Sequence, residues 1–248
     1  MTPKEAKLYA LVHDGAPGDV AFYRSRTRGA HRVLELGCGW GRVASQLECA
    51  EVVGLESDPG MRALGRVEGF EALAGDMREF ELGRFEHVII PFTGIYCLET
   101  EEDLLACLRS ARRALAPGGT LIFDAYAADR FHAEARPEDY PDDQLEEVAR
   151  FDHEGVALTV YERSRWDRES QRMDATYVYE GPDGSRVAEI EIKHRYLTSV
   201  EIPELLSRAG LLLVHMAGSF EGEPFDTYES GSIIVTAACG DQSDAPGS

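Results

Sequence analysis

The sequence lacks the long apolar runs that membrane-spanning and secreted proteins carry. No stretch approaches the roughly 20 consecutive apolar residues that span a bilayer. The first residues, MTPKEAKLYALVHDG, also lack the basic flank followed by an unbroken apolar run that a signal peptide needs. We therefore expect a cytoplasmic protein with no membrane partner.

Paired cysteines and an excess of basic residues are absent as well. The five cysteines are scattered, form no CxxC pair and have no histidine nearby at ligand spacing, so neither a disulfide framework nor a metal site is indicated. The 45 acidic residues outnumber the 25 basic ones and give a formal net charge of -20. Because this charge repels a phosphate backbone, a nucleic-acid partner is disfavoured.

Residues 31–124 alternate short apolar runs with amphipathic segments. Strands buried on both faces are predicted for HRVLEL, EVVGLE, FEALAG, FEHVIIPF and GGTLIFDAY. Connecting helices are predicted for RVASQL, DPGMRALGRV and EEDLLACLRSARRAL, and one or two further helices for the first 30 residues. The fold class expected is α/β and Rossmann-like, with a seven-stranded, mainly parallel sheet, helices on both faces and a reversed final strand.

The character of the sequence changes near residue 127. A polar, acidic excursion up to about residue 150 is followed by three predicted antiparallel strands, EGVALTVYERSRW, SQRMDATYVYE and SRVAEIEIKHRYL, with GPDG as the last turn. SVEIPELLSRAG predicts a helix, LLLVHMAGSF and SIIVTAAC predict the last strands, and the tail GDQSDAPGS is expected to be disordered. We divide the chain into a core of residues 1–126 and 199–240 and a small antiparallel insertion within 127–198.

The sharpest motif is VLELGCGWGR, residues 33–42. An apolar strand carrying Glu35 leads into GxGxG, where glycines let the backbone turn sharply and lie against a ligand, and a helix is expected to follow. The dinucleotide fingerprint GxGxxG would need glycine or alanine at position 42. Because Arg42 stands there, a nicotinamide dehydrogenase is the weaker interpretation.

Two further predicted strands end in acids at the same edge of the sheet. Glu56 follows the glycines by about 20 residues, where an acid accepts hydrogen bonds from ribose hydroxyls. Asp76 and Met77 end the third strand, where a carboxylate can face an adenine amino group and a methionine can pack on a purine ring. A lone strand–Gly–x–Gly turn is often only a tight connection, but the ordered set favours a nucleotide site.

These motifs resemble those of class I S-adenosylmethionine-dependent methyltransferases. LELGCGWGR, VVGLESDPGM, AGDM and LAPGGTLIFDAY carry the resemblance over residues 31–125. The later segments resemble the small-molecule branch, in which strands inserted after the fifth strand cover the substrate pocket. The resemblance implies S-adenosylmethionine as cofactor and in-line methyl transfer to a nitrogen or oxygen of a small molecule, with the protein mainly supplying alignment and a dry pocket.

The resemblance also implies roles for particular residues. Glu35 would hold the methionine amino group, Glu56 the ribose, and Asp76 the adenine. Pro91 stands where many N- and DNA-methylating relatives carry an amine-binding motif, which disfavours a base as acceptor. Of two N-terminal tyrosines, Tyr9 and Tyr23, the second is favoured. The implied cofactor-binding set is Tyr23, Glu35, Gly37, Cys38, Gly39, Glu56, Ser57, Met61, Gly75, Asp76, Met77, Pro91 and Phe92.

The acceptor side of the site is less sharply marked. His194 and Tyr96 are the catalytic candidates, with His132 behind them, because they are titratable or polar groups that can face an acceptor. The acidic run 137–143 suggests attraction for a cationic acceptor, although charge runs are usually solvated surface. A non-catalytic cofactor-binding regulatory protein and a protein methyltransferase stay open as alternatives, as does the oligomeric state.

Overall fold

The protein is built on two β-sheets. The computed structural model describes residues 1–136, 141 and 144–240. The strands are β1 (Arg32–Leu36), β2 (Glu51–Glu56), β3 (Leu73–Ala74), β4 (Phe85–Ile90), β5 (Leu115–Tyr126), β6 (Glu146–His153), β7 (Val156–Asp167), β8 (Arg172–Glu180), β9 (Arg186–Arg195), β10 (Leu211–Ala217) and β11 (Ser232–Cys239). Seven of them form one sheet in the order β10-β11-β5-β4-β1-β2-β3. β11 runs antiparallel to both of its neighbours, which confirms the predicted mainly parallel sheet with a reversed final strand.

Six helices cover or flank the sheets. They are α1 (Pro3–Val12), α2 (Asp19–Thr27), α3 (Pro59–Glu68), α4 (Glu101–Ala114), α5 (Asp129–Glu134) and α6 (Ile202–Arg208). Side-chain caps fix three of their starts, because Thr2, Asp58 and Thr100 each accept a hydrogen bond from a backbone N–H in the first turn. The apolar side of α4 packs against one face of the large sheet, and α2 packs against the other through Tyr23. The two predicted N-terminal helices are confirmed.

The helix expected directly after the glycine motif is not formed. A single 3-10 turn, Ala44–Gln46, stands in its place, so that prediction is wrong. The left-handed backbone of Gly39 and Gly41, with φ values of 57° and 84°, and the extended backbone of Leu47 leave only a short stretch between them for helical conformation. α2 covers this part of the sheet instead, with Tyr23 packed against Val43.

The second sheet is antiparallel and has four strands, β6-β7-β8-β9, rather than the predicted three. β6 lies within the segment expected to be a polar excursion. It is an edge strand whose side chains are mostly exposed, so it lacks the apolar alternation that identifies a half-buried strand in sequence. The predicted turn between β8 and β9 is formed, with the Gly184 N–H donating to the Gly181 carbonyl.

Alternate residues of this inserted sheet form one face that lies over the large sheet. We call this the inner face. In register, Glu162 stands opposite Tyr177, and Met173 stands opposite His194. The inner-face residues used below are Glu162, Ser164, Met173, Tyr177, Ile192 and His194.

Helix α1 supports the inserted sheet from below. Leu8 packs among Val160, Tyr179 and Ile190 of three different strands. The Tyr179 hydroxyl donates a hydrogen bond to the Leu8 carbonyl at 3.2 Å. No helix among the described residues is long and apolar enough to cross a membrane. The acidic run 137–143, apart from Pro141, and the tail beyond Gly240 lie outside the described residues.

Candidate functional site

Two adjoining cavities open at the carboxyl edge of β1, β2 and β4. The larger, of about 240 Å³, lies over the glycine motif and is called the edge cavity. The smaller, of about 220 Å³, continues from it past Gly75 and Asp76. Every residue of the cofactor-binding set implied by the resemblance lines one of these cavities, with the exception of Tyr23.

The glycine motif forms the floor of the edge cavity. Gly37 and Gly39 have φ values of 66° and 57°, in the left-handed region that favours glycine. No atom lies within 4 Å of the positions that a Cβ would take at either residue. The Gly37 N–H donates to the Leu55 carbonyl at 2.8 Å, which ties the loop to β2. A ligand can therefore lie directly against this backbone, where a side chain would displace it.

Glu35 is a buried carboxyl that lines the edge cavity and has an unused oxygen. Its residue is 3% exposed, and its Oε2 atom has no hydrogen-bond partner. Burial raises the pKa of Glu35 to about 8, against the opposing effect of the Arg42 charge. A buried acceptor left unpaired costs about 1–3 kcal/mol, so this oxygen is suited to an incoming donor. The amino group of a bound methionine moiety fits this requirement.

Glu56 organises the backbone around the edge cavity. Its Oε2 accepts a hydrogen bond from the Gly39 N–H at 2.9 Å, and its Oε1 accepts one from the Asp58 N–H at 2.7 Å. The glutamate carboxylate thus joins the glycine motif to the start of α3. Each oxygen retains a lone pair, so the expected ribose contact stays a prediction.

Asp76 is held in place by a neighbouring guanidinium. Arg78 Nη2 lies 2.6 Å from Asp76 Oδ2, and Arg78 Nη1 lies 2.7 Å from Asp103 Oδ1. The hydrogen bonds from Arg78 lower the pKa of Asp76, which keeps the carboxylate ionised. Met77 lines both cavities beside it. Asp76 is therefore an oriented acceptor at the end of the site where adenine was expected.

The loop after β4 is strained and is held by the buried residue Asp124, which we call the clamp. Phe92 and Thr93 have φ values of 53° and 63°, which are uncommon for residues other than glycine. The Phe92 N–H donates to Asp124 Oδ1 at 2.9 Å, and the Thr93 N–H donates to the Asp124 carbonyl at 3.1 Å. Asp124 thereby fixes the backbone of a loop that lines the edge cavity.

Tyr23 acts on this clamp rather than on the cavity. Its side chain is fully buried, and its hydroxyl donates to Asp124 Oδ1 at 2.5 Å. The placement differs from the prediction that Tyr23 would be the favoured N-terminal contact to the cofactor, because α2 packs on the face of the sheet rather than over its edge. Burial raises the pKa of Asp124 to about 6.

Tyr9 is the N-terminal tyrosine that reaches the edge cavity. Its ring stacks on His13 with centroids 3.8 Å apart. Arg42 lines the same cavity, lies over the Phe92 ring at 5.2 Å and pairs with the buried Asp19 at 2.5 Å. Arg42 is a site residue that was not predicted from the sequence, and its place directly after the glycines was the available signal.

A third cavity, of about 340 Å³, lies between the end of β5 and the inner face; we call it the insert cavity. Glu162 accepts a hydrogen bond from Ser164 Oγ at 2.9 Å and one from the Tyr177 hydroxyl. The Tyr126 hydroxyl is buried without a hydrogen-bond partner. The described lining residues are Tyr126, Phe131, Pro141, Gln144, Glu146, Glu162, Ser164 and Met173.

Of the predicted catalytic residues, only His194 stands beside this cavity. It faces Met173 in register, and its ring lies 6.4 Å from that of Tyr126. Burial lowers the pKa of His194 to about 4. Tyr96 is 1% exposed, and its hydroxyl lies 3.0 Å from the Tyr126 carbonyl and 3.1 Å from the Leu197 carbonyl. Tyr96 thus links β5 to the segment after β9, and it is outside the described lining of all three cavities.

His132 is likewise engaged away from the cavity lining. Its Nδ1 lies 3.0 Å from the Tyr196 hydroxyl. Within the described part of the chain, no group of three or more His, Cys, Asp or Glu side chains is arranged to hold a metal ion.

Comparison with known proteins identifies the central part of the chain. Residues 34–123 match the family described as a methyltransferase domain. The N,N-dimethyltransferase of Streptomyces venezuelae for dTDP-3-amino-3,4,6-trideoxy-alpha-D-glucopyranose is 32% identical over 134 residues, which are 49% of this chain and 56% of that protein. The match thus spans only about half the length of that relative. A cypemycin N-terminal methyltransferase from Streptomyces sp is 25% identical over 91% of both chains.

Solved structures share the whole architecture. The CcbJ methyltransferase from Streptomyces caelestis superposes with a TM-score of 0.77 at 24% identity, over 92% of this chain and 91% of that one; this likeness concerns the fold. CalS10, an amino pentose methyltransferase from Micromonospora echinaspora solved with bound S-adenosylmethionine, is 25% identical with a TM-score of 0.65, over 95% and 97% of the two chains.

Proposed function

We propose that the chain is a class I methyltransferase that uses S-adenosylmethionine, and that it methylates a small molecule held in the insert cavity; the match of residues 34–123 to a methyltransferase domain and the likeness to CalS10 support this. The observation that carries the proposal is that the inserted sheet contributes to two cavities: one is also lined by the glycine motif, and the other is bounded by Tyr126 and the inner face. Ile192 of the inner face lines the edge cavity. A cofactor and an acceptor can therefore approach each other between β5 and the inserted sheet.

The protein's own part in the reaction is binding and alignment. We assign Glu35 to the methionine amino group, Glu56 to the ribose and Asp76 to the adenine. The bound cofactor supplies a methyl group on a positively charged sulfur. Asp124 holds the Phe92 loop against the cofactor, and the inserted sheet covers the acceptor. Such alignment supplies much of the rate in an in-line displacement.

Nitrogen is the acceptor atom that the comparisons favour over oxygen. Two relatives are named for methylation at nitrogen, one on an amino sugar and one at a peptide N-terminus. A free amine of limited size is common to both. The insert cavity, of about 340 Å³, supports catalysis on a small acceptor over a purely regulatory cofactor-binding role, which needs no such space.

The test is turnover with paired acceptors. Purified protein is incubated with S-adenosylmethionine and either amino sugars and short peptides with free amines or their hydroxyl-only analogues, and S-adenosylhomocysteine is measured by mass spectrometry. We expect product with amines only. Calorimetry should show that the protein binds S-adenosylmethionine and S-adenosylhomocysteine but not NAD. Cofactor binding without turnover on any amine would favour the regulatory alternative, and turnover on intact proteins alone would favour a protein methyltransferase.

His194 gives a separate prediction about pH. Because burial lowers the pKa of His194 to about 4, its imidazole is neutral above pH 5, with one ring nitrogen as a donor and the other as an acceptor. His194→Gln replaces the ring by an amide, whose hydrogen-bonding groups lie in different positions, and we therefore expect about a tenfold loss in kcat. Because neither side chain titrates between pH 5 and 9, the shape of the kcat/KM profile over that range should not change. The exposed His215→Gln is the control. An inflection near pH 6.5 that disappears in His194→Gln would contradict the assignment.

A further inference from the structure

The described lining of the insert cavity carries negative charge and no positive charge. Its described lining includes the carboxylates of Glu146 and Glu162, which stand opposite each other on β6 and β7, and includes no lysine or arginine. Within the described ranges, neither glutamate forms an ion pair with any cation. The partners of Glu162 are the neutral hydroxyls of Ser164 and Tyr177. A half-buried carboxylate held this way is poised to receive a cation.

Three arginines of the inserted strands pair with acids outside the cavity lining. Arg163 pairs with Glu189, Arg172 pairs with Glu99 and Asp174, and Arg150 pairs with Glu147. The overall charge of -20 acts in the same direction, because it repels anionic ligands and attracts cationic ones.

An unpaired hydroxyl lies within the influence of the same charge. Among the described residues, the buried Tyr126 hydroxyl has no hydrogen-bond partner, and Glu162 is among the groups whose charges act on it. An unpaired buried hydroxyl costs free energy until a donor or an acceptor reaches it. A protonated amine offers both a positive charge for Glu162 and an N–H that the Tyr126 hydroxyl oxygen can accept.

We propose that the insert cavity selects an amine acceptor without a phosphate group, and that Glu162 is the residue that recognises the amine. The proposal rests on the methyl transfer proposed above and narrows its substrate class. It separates this chain from its relative that acts on a dTDP-linked amino sugar, because a nucleoside diphosphate would bring two or more negative charges next to two carboxylates and no described cation.

The position of Glu162 also suits the charge movement of the reaction. The ammonium form of the acceptor first releases one proton to water. The neutral amine then uses its lone pair to form the nitrogen–methyl bond. The methyl–sulfur bond breaks, its electron pair goes to sulfur, and the positive charge moves from sulfur to nitrogen. A carboxylate beside the nitrogen stabilises that developing charge, and it does so more in the transition state than for the neutral amine.

The experiment compares three ligands with one ring and different charges: trans-4-aminocyclohexanol, 1,4-cyclohexanediol and 4-hydroxycyclohexyl phosphate. Binding to the full chain saturated with S-adenosylhomocysteine is measured by calorimetry and ligand-observed NMR. We expect the amine to bind at least tenfold more tightly than the diol, and the phosphate to bind more weakly than both.

Glu162→Gln is the matched variant, since it retains the shape of the side chain and its ability to accept hydrogen bonds. It should lose the preference for the amine, with affinity for the diol unchanged. Glu191→Gln, which removes an exposed charge from the outer side of β9, is the control and should behave as the wild type. Equal binding of amine and diol to the wild type, tighter binding of the phosphate, or an unaffected Glu162→Gln would overturn the proposal.

Failure of this proposal and failure of the methyltransferase function are distinguishable in the same samples. Loading with S-adenosylhomocysteine is measured before the acceptor analogues are added. A protein that loads normally but ignores ligand charge contradicts the acceptor class alone, whereas a protein that does not load contradicts the function itself.

Discussion

Replacing Glu35 by glutamine should weaken the binding of S-adenosylmethionine by about 10- to 100-fold. The variant keeps the size of the side chain and removes its ability to ionise, so the methionine amino group loses a charge-assisted hydrogen bond of about 1.5–3 kcal/mol. The present Oε2 atom has no other partner, so no other contact of that atom is disturbed. Calorimetric titration of both proteins measures the difference.

The same substitution should change proton uptake. Burial raises the pKa of Glu35 to about 8 in the ligand-free protein, so the carboxyl is mostly protonated at pH 7. Pairing with an ammonium group requires its ionised form, and cofactor binding at pH 7 should therefore release close to one proton. Calorimetry in buffers of different ionisation enthalpy detects this release, which should vanish in Glu35→Gln.

The stability of the ligand-free protein should fall as pH rises, because of the raised pKa of Glu35. The folded pKa of about 8 lies above the ordinary value of 4.5, so the native state binds more protons than the unfolded state between these values. Stability is then lost as pH rises from about 4.5 to 8, by a few kcal/mol, and this loss should be absent in Glu35→Gln.

Glu68→Gln, at an exposed position on α3, is the control for all three measurements. Unchanged cofactor affinity together with unchanged proton release in Glu35→Gln would sink the role assigned to Glu35. A wild-type stability that is flat between pH 4.5 and 8 would show that burial does not disfavour its ionised form.

Removing the Asp124 carboxylate should destabilise the protein by about 3 kcal/mol or more. In Asp124→Ala, the Tyr23 hydroxyl and the Phe92 N–H lose their acceptor inside the protein, and each buried unpaired group costs about 1–3 kcal/mol. Both now donate to Asp124 Oδ1. Urea denaturation measures the change, and kcat/KM should fall as well because the Phe92 loop lines the edge cavity.

Asp124→Asn separates shape from charge. The asparagine Oδ1 can accept the same two hydrogen bonds, so we expect less than half of the alanine effect. Since burial raises the pKa of Asp124 to about 6, above its ordinary value of 3.8, its ionisation reduces stability as pH rises from about 4 to 6, and the asparagine variant should lack this dependence. Equal losses in the two variants would contradict the role of the carboxylate oxygen as a shared acceptor.

The sheet and its glycine motif were predictable because their signals are local. Apolar runs at regular intervals fix β1, β2, β4 and β5, and a strand followed by GxGxG can turn in few ways. The acids at strand ends share an edge because parallel strands end on the same side. The predicted edge of the sheet consequently carries all three acids, since the cavities there are lined by Glu35, Glu56 and Asp76.

The acceptor side was not predictable because its signals depend on tertiary placement. Alternation in YERSRW, residues 161–166, shows that a strand exists but not which of its faces lies over the core. The inner position of Glu162 follows from packing against Tyr126 and Met173. Similarly, two tyrosines on short helices look alike in sequence, and only the packing of α1 and α2 separates Tyr9 from Tyr23.

The position of α1 has a consequence for how such a chain can diverge. Consecutive residues of this helix serve different neighbours: Leu8 packs under the inserted sheet, whereas Tyr9 lines the edge cavity. A change of size at residue 8 would shift its neighbour in the cavity unless Val160 or Ile190 changed to compensate. Among related sequences, we therefore expect the residues at positions 8, 160 and 190 to co-vary.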